Sequence, residues 1–339
     1  MAFEIKEGIL IQYQGNDSTV TIPDGVTAIE QGAFEGCSSV TKITIPDSVT
    51  HIGRMAFWGC KSLTEITIPE SVTEIGGFAF SETKWMEERQ KEQSPVIVNH
   101  ILIDGTRCSG TVTIPDGITG ITDSAFYRCE SLTSIIFPVG VERIGWNAFC
   151  GCSSLTEINI PDSVKSISDY TFAECSSLME IIIPDSVTSI GERAFLGCSA
   201  LRVIRLRQDD PKFHRDYSKV KHLTNEIQTV WQMHKTGDYH GTANVAVKYP
   251  LLMLDYLHTH NPAFTEIIRK NFSKIIKESI ANGDVQMLTA FMQEEGWIEK
   301  KHIDSFIEAA QKNGQQEILM LLMNYKNAHF VFTEKKLKL

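Results

Sequence analysis

Residues 39–61 read Ser39-Val40-Thr41-Lys42-Ile43-Thr44-Ile45-Pro46-Asp47-Ser48-Val49-Thr50-His51-Ile52-Gly53-Arg54-Met55-Ala56-Phe57-Trp58-Gly59-Cys60-Lys61. Ile43-Thr44-Ile45 alternates with the period of two that suits a half-buried strand, Pro46-Asp47 forces a turn, and a second short extended piece ends at Ile52-Gly53. Val40, Ile43, Ile45, Val49, Ile52, Ala56, Phe57 and Cys60 are the candidates for the interior. Fixing the backbone of one such unit costs roughly 23–46 kcal/mol, whereas burying these side chains returns roughly 12–24 kcal/mol. The unit cannot stand alone and must stack on copies of itself.

The copies are present. Ile-Pro or Phe-Pro recurs at Pro23, Pro46, Pro69, Pro115, Pro138, Pro161 and Pro184, a step of 23 residues with one gap of 46. The same step carries a phenylalanine column (Phe34, Phe57, Phe80, Phe126, Phe149, Phe172, Phe195) and an aliphatic column (Ile29, Ile52, Ile75, Val98, Ile121, Ile144, Ile167, Ile190), with Val98 expected to hold the place inside the gap. Equivalent residues stacked turn over turn give a continuous apolar spine, the signature of a solenoid. The degenerate turn at 81–110 reads as a short helix over Thr83 to Gln93, stopped by Ser94-Pro95. Ile101-Leu102-Ile103 then leads into Val112-Thr113-Ile114-Pro115 as Ile9-Leu10-Ile11 leads into Val20-Thr21-Ile22-Pro23, an offset of 92 residues. Two blocks opening on the same hairpin-like entry are expected, in one solenoid whose columns stay in phase.

Residues Ser62 to Thr83, Ser154 to Cys175 and Ser177 to Cys198 follow Ser-Leu-Thr-x-Ile-x-Ile-Pro-x-x-Val-x-x-Ile-Gly-x-x-Ala-Phe-x-x-Cys most clearly. Over about residues 20 to 206 the chain resembles the BspA-type leucine-rich-repeat family. The resemblance implies a curved leucine-rich-repeat β-solenoid with a parallel sheet on its concave face, in a family associated with adhesion and protein binding.

The 339 residues carry a net charge of −10. Residues 1–206 hold 14 basic and 26 acidic side chains and residues 207–339 hold 18 and 16, so an acidic first module meets a near-neutral second one. Two domains are expected, a solenoid over 1–206 and an α-helical module over 207–339. The acidic surface argues against nucleic acid as a partner of the solenoid. No apolar run reaches membrane-spanning length, and Met1-Ala2-Phe3-Glu4-Ile5-Lys6-Glu7 has no export-leader pattern, so the expected location is cytoplasmic by default, although members of the family it resembles are often at the cell surface.

Helical spacing takes over beyond Arg207-Gln208-Asp209-Asp210-Pro211. Tyr217, Val220, Leu223, Ile227, Val230 and Trp231 fit one apolar face, Leu251, Leu254 and Leu257 a second, and Ile267, Ile268, Phe272, Ile275 and Ile276 a third that starts after Asn261-Pro262. Ile275-Ile276 to Asn282-Gly283 and Met287-Leu288 correspond, 31 residues on, to Phe306-Ile307, Asn313-Gly314 and Ile318-Leu319. These helical hairpins resemble degenerate ankyrin repeats, which implies a second binding element or a cap on the solenoid.

Six of the eight cysteines (Cys37, Cys60, Cys129, Cys152, Cys175, Cys198) share one repeat position. Parallel inward side chains line up rather than converge, so buried thiols are expected instead of a zinc site or disulfides, with Cys150 exposed in a variable slot. His258-Thr259-His260 reads as a polar helix end rather than a metal pair, and neither a phosphate-binding Gly-rich loop nor a nucleophile elbow occurs, so neither cofactor nor catalysis is expected. What remains is surface. Alternation turns residues 42, 65, 134, 157, 180 and 203, and 44, 67, 113, 136, 159, 182 and 205, away from the interior. There Ile136 and Ile182 flank Asn159, with Glu157, Glu180 and Arg205 alongside, an apolar pair in a charged frame. Trp58, Tyr127 and Trp146, in turn slots held elsewhere by Glu35, Arg54 or Asp169, form a second candidate. The expected function is a non-catalytic scaffold that binds a protein partner through the concave strand face. The alternatives are an adhesin for matrix protein or glycan, and an enzyme whose site lies in the helical module.

Overall fold

Two rows of short parallel strands follow the repeat array, each in three sheets within which successive strands advance by one repeat. In the first row Thr19–Thr21, Lys42–Thr44 and Glu65–Thr67 form one sheet, Gly110–Thr113 and Leu132–Ile136 a second, and Glu157–Asn159, Glu180–Ile182 and Val203–Arg205 belong to a third. The register pairs Val20 with Ile43 and Ile43 with Ile66, and likewise Ile158 with Ile181 and Ile181 with Ile204. The second row consists of two-residue strands such as His51–Ile52, Arg143–Ile144 and Ser189–Ile190. The computed structural model describes residues 2–201, 203–205, 215–216, 223–236, 238–239, 248–249, 252–253, 256, 261–294 and 296–331. By internal contacts the chain divides into one unit over Met1–Asp209 and another over Asp210–Leu339.

The solenoid's core is built from the expected columns. All seven column phenylalanines are buried, and neighbouring rings stack at 5.1 Å (Phe34–Phe57), 5.5 Å (Phe57–Phe80), 4.9 Å (Phe126–Phe149), 5.6 Å (Phe149–Phe172) and 5.7 Å (Phe172–Phe195). The column cysteines beside them act as donors as well as filler. Cys60, Cys152, Cys175 and Cys198 each direct Sγ to the carbonyl of the phenylalanine 26 residues earlier, at 3.0–3.2 Å. Each of these carbonyls also accepts the backbone N–H of the cysteine three residues on, so the thiol adds a second bond from the next turn inside the core. Serines after the Pro-Asp or Pro-Glu turn bond across turns at the rim: Ser48, Ser71, Ser163 and Ser186 donate to the valine carbonyl one turn back.

The join between the blocks departs from the expected phasing. The helix forms over Lys84–Glu92, with Thr83 as its N-cap accepting from the Met86 N–H. It inserts Trp85, whose ring lies 4.8 Å from Phe80 and extends the aromatic stack where no repeat phenylalanine follows. Each block does open on an antiparallel hairpin, Phe3–Lys6 with Ile9–Tyr13 and Val96–Val98 with Ile101–Asp104. But the strand that continues the ladder is the second one, so Leu102 pairs with Ile121 as Leu10 pairs with Ile29. Val98 sits on the outer hairpin strand opposite Ile101, half-buried, and does not hold the aliphatic column. The reason is that a chain entering a parallel ladder must reverse first, and the reversal uses up the residues that would have kept phase. Both strand rows break here, and side chains carry the continuity: Asn99 Nδ2 donates to the carbonyls of Pro69 (2.9 Å) and Val72 (3.0 Å), and Arg143 pairs with Glu74 at 2.8 Å.

In the second unit the helices Leu223–Thr236, Pro262–Asn282, Val285–Gln293, Lys300–Lys312 and Gln316–Lys326 are described. Asn261 caps the second of these through the Ala263 N–H, and Gly283, in the left-handed region at φ 73°, ends it. Phe272, Phe291, Trp297 and Phe306 form an aromatic centre, with Phe272 5.4–6.1 Å from the other three. The Asn282-Gly283 and Asn313-Gly314 turns close two helical hairpins, as their spacing implies. Ile227 and Trp231 are buried as expected; Leu252, Met253 and Tyr256, which the spacing does not single out, are buried too. Tyr217, Val220, Leu251, Leu254 and Leu257 lie outside the described residues.

Candidate functional site

The first-row strands turn alternate residues inward, so Ile135, Ile158 and Ile181 are buried while Ile136, Asn159, Glu157, Glu180 and Ile182 lie on the opposite face. Ile136 is 51% exposed. The side chain of Arg205 is outside the described residues, although its backbone pairs with Ile182. Ile136, Asn159, Ile182, Glu157 and Glu180 line one groove of about 520 Å³, together with Val139 and Asp162. Among the described residues its lining contains acidic, neutral polar and apolar side chains and neither lysine nor arginine.

The groove lies where the repeat itself changes. At six other turns the corresponding segment begins Ile-Pro and continues with Asp or Glu; here it is Phe137-Pro138-Val139-Gly140. Phe137 is larger than the isoleucine it replaces and sits edge-on against Phe149 at 6.0 Å. The strands Leu132–Ile136 and Glu157–Asn159 belong to separate sheets, as do Arg143–Ile144 and Ser166–Ile167 beside them. The turn side stays bonded, with the Phe149 N–H on the Thr171 carbonyl at 2.8 Å. The strand side also stays bonded at its start, with the Thr156 N–H on the Thr133 carbonyl at 3.2 Å, and the groove opens beyond that bond, beside the larger Phe137. Val139, 89% exposed where other turns carry a carboxylate, completes the change. Sequence reasoning by strand alternation misses Phe137 and Val139 because they follow the strand; departure from the column consensus was the signal that identifies them.

The second candidate set does not assemble. Trp58 and Tyr127 are half-buried, with the Arg128 guanidinium 5.4 Å above the Tyr127 ring. Trp146 is 36% exposed and occupies a different column, under the Arg54 guanidinium at 5.5 Å and edge-on to Tyr170 at 6.3 Å. Arg193 in turn donates to the Tyr170 hydroxyl at 2.6 Å. Trp146 therefore belongs to a cation–aromatic row crossing the turns, which accounts for its exposure by local packing.

All eight cysteines are free thiols. Burial pushes the Cys60 thiol up to about 12 and the Cys129 thiol up to about 11 and raises Cys152 further, so these groups stay protonated and are poor nucleophiles. Cys150 is half-buried rather than exposed, because its slot packs against the adjoining turns. Among the described residues there is no group of three or more His, Cys, Asp or Glu side chains placed to hold a metal ion, and no helix is long and apolar enough to cross a membrane. His258 and His260 lie outside the described residues.

A model of the BspA-type leucine rich repeat region matches residues 12–99 and 105–216 in six copies. No match was found among curated proteins. Among solved structures, a leucine-rich repeat protein of T. pallidum is 31% identical, with 57% of this chain and 82% of that one covered at a TM-score of 0.32. A leucine rich cell surface protein of Faecalibacterium prausnitzii is 23% identical over 60% of this chain and 91% of that one (TM-score 0.31), and the pneumococcal vaccine antigen PcpA 21% identical over 57% and 62% (TM-score 0.35). With its 23-residue turns, its stacked phenylalanine and cysteine columns and a family match over more than half its length, this chain belongs to the BspA-type leucine-rich-repeat family.

Proposed function

We propose that the protein is a non-catalytic binding scaffold whose strand-face groove, over Ile136, Val139 and Ile182, docks a segment of a partner protein. The observation that carries this reading is the coincidence of three departures from the repeat, Ile136, Phe137 and Val139, with the groove and with exposed apolar surface. A solenoid core requires none of them, and isolated exposed aliphatics on strands would not cluster at a break between sheets. Glu157, Asp162 and Glu180 frame the groove, so the matching segment presents aliphatic side chains flanked by lysine or arginine. Asn159, between the two isoleucines, offers an amide for register.

The test is selection of a displayed peptide library on the full chain, followed by binding measurements on the double variant Ile136→Asp/Ile182→Asp. Selected peptides carry apolar anchors with basic neighbours, and the variant weakens them by at least about 1 kcal/mol per anchor while its unfolding midpoint is unchanged. Peptides that bind the variant as tightly as the parent, or that are enriched in acidic residues, would remove the groove as the docking site.

A further inference from the structure

The second unit holds a cup of about 680 Å³ between the Pro262–Asn282 and Lys300–Lys312 helices. Arg269, Lys270, Lys274 and Lys277, all exposed, line it, with Glu278 as the carboxylate among the lining residues. Spaced over two helical turns, these four cations have no ion-pair partner among the described residues. Glu299, which is close enough to feel Arg269 and His302, is bound by Lys301 at 2.7 Å. The imidazole of His302 forms part of the wall, tilted on Phe272 and stacked near Phe306, and its Nδ1 is buried with no hydrogen-bond partner. Four like charges gathered along one helix face repel one another, and an anionic group in the cup relieves that repulsion.

We propose that this cup binds an acidic peptide segment of a partner protein, its carboxylates set among Lys270, Lys274 and Lys277. Four cations spread along the cup match several linked anionic groups rather than one small anion. Phe272 and Trp297 beneath the cup are each 5% exposed, and Trp297 is overlaid by the Arg269 guanidinium at 5.1 Å, so no aromatic face is free to stack a nucleobase. A chain of carboxylates needs no such face.

The experiment uses the full chain and a fluorescein-labelled synthetic peptide of alternating Glu and Gly, read by anisotropy at about 0.1 M salt. Lys274→Glu/Lys277→Glu is compared with Lys61→Glu/Lys165→Glu, which makes the same change in net charge on exposed lysines of the solenoid. The expected result is binding by the parent and the solenoid variant, and a loss of about tenfold or more in the cup variant alone. Equal weakening in both variants, or in neither, overturns the proposal, as does oligothymidylate or vesicles rich in phosphatidylserine binding more tightly than the peptide in a cup-dependent way. If the cup variant loses helical circular dichroism, Lys274→Ala/Lys277→Ala, which favours the helix, takes its place and the same outcomes decide.

Discussion

Replacing Phe149 by alanine tests the stacked spine at its most crowded point. The ring is fully buried, 4.9 Å from Phe126, 5.6 Å from Phe172 and edge-on to Phe137 at 6.0 Å. An aromatic ring of this kind buries about 150–250 Å², or roughly 4–6 kcal/mol at 25 cal/mol/Å². The neighbours are held at their spacing by the backbone, with Phe126 N–H on the Ala148 carbonyl at 2.7 Å and Phe149 N–H on the Thr171 carbonyl at 2.8 Å, so the hole cannot close by collapse. The loss therefore falls at the upper end of the usual range for such truncations, about 4–5 kcal/mol. Every cysteine of the chain lies between residues 37 and 198, so thiol labelling along a urea series reports the unfolding of the solenoid alone. With a slope of about 2 kcal/mol/M the midpoint drops by roughly 2 M. A drop below about 1 M would refute the reasoning, because it would mean that the turns re-pack freely around the missing ring.

The glycines of the repeat separate two mechanisms. A methyl at Gly145 would lie 2.5 Å from the Asp123 nitrogen and carboxylate, whereas Gly36 at φ 71° has open space around it; Gly145→Ala should cost more than about 2 kcal/mol and Gly36→Ala about 1, compared by urea midpoints. The buried thiols make the solenoid alkali-sensitive. Their folded pKa values are raised, so the unfolded chain releases its protons first and stability, intact below about pH 8.5, falls as pH rises toward the folded values at about 1.4 kcal/mol per pH unit per thiol; Cys60→Ala should flatten the fall by one thiol's worth, and an unchanged slope would contradict the assignment. Phe137→Ile restores the residue found at the other turns, and should close the sheet break, slow amide exchange in Glu157–Asn159 and abolish peptide binding in the groove; unaltered exchange would mean that the ring does not hold the strands apart.

Residues 39–61 and their recurrence determine the solenoid, because a 23-residue unit with that apolar pattern has no way to bury itself except against its neighbours. The phenylalanine and cysteine columns, the helix at the join and the outward turn of Ile136 and Ile182 are legible for the same reason: periodicity fixes which way a side chain points. What periodicity does not encode is where the period fails. That Leu102 rather than Val98 continues the aliphatic column follows from the chain reversal, and that Trp85 completes the aromatic stack follows from helix packing. That Ile136, Val139 and Ile182 share one groove depends on where two sheets separate beside Phe137, and that four cations and His302 line one cup depends on how two helices pack. These are relations between distant residues set by steric size and backbone hydrogen bonding across turns, and they exist only once the chain is packed.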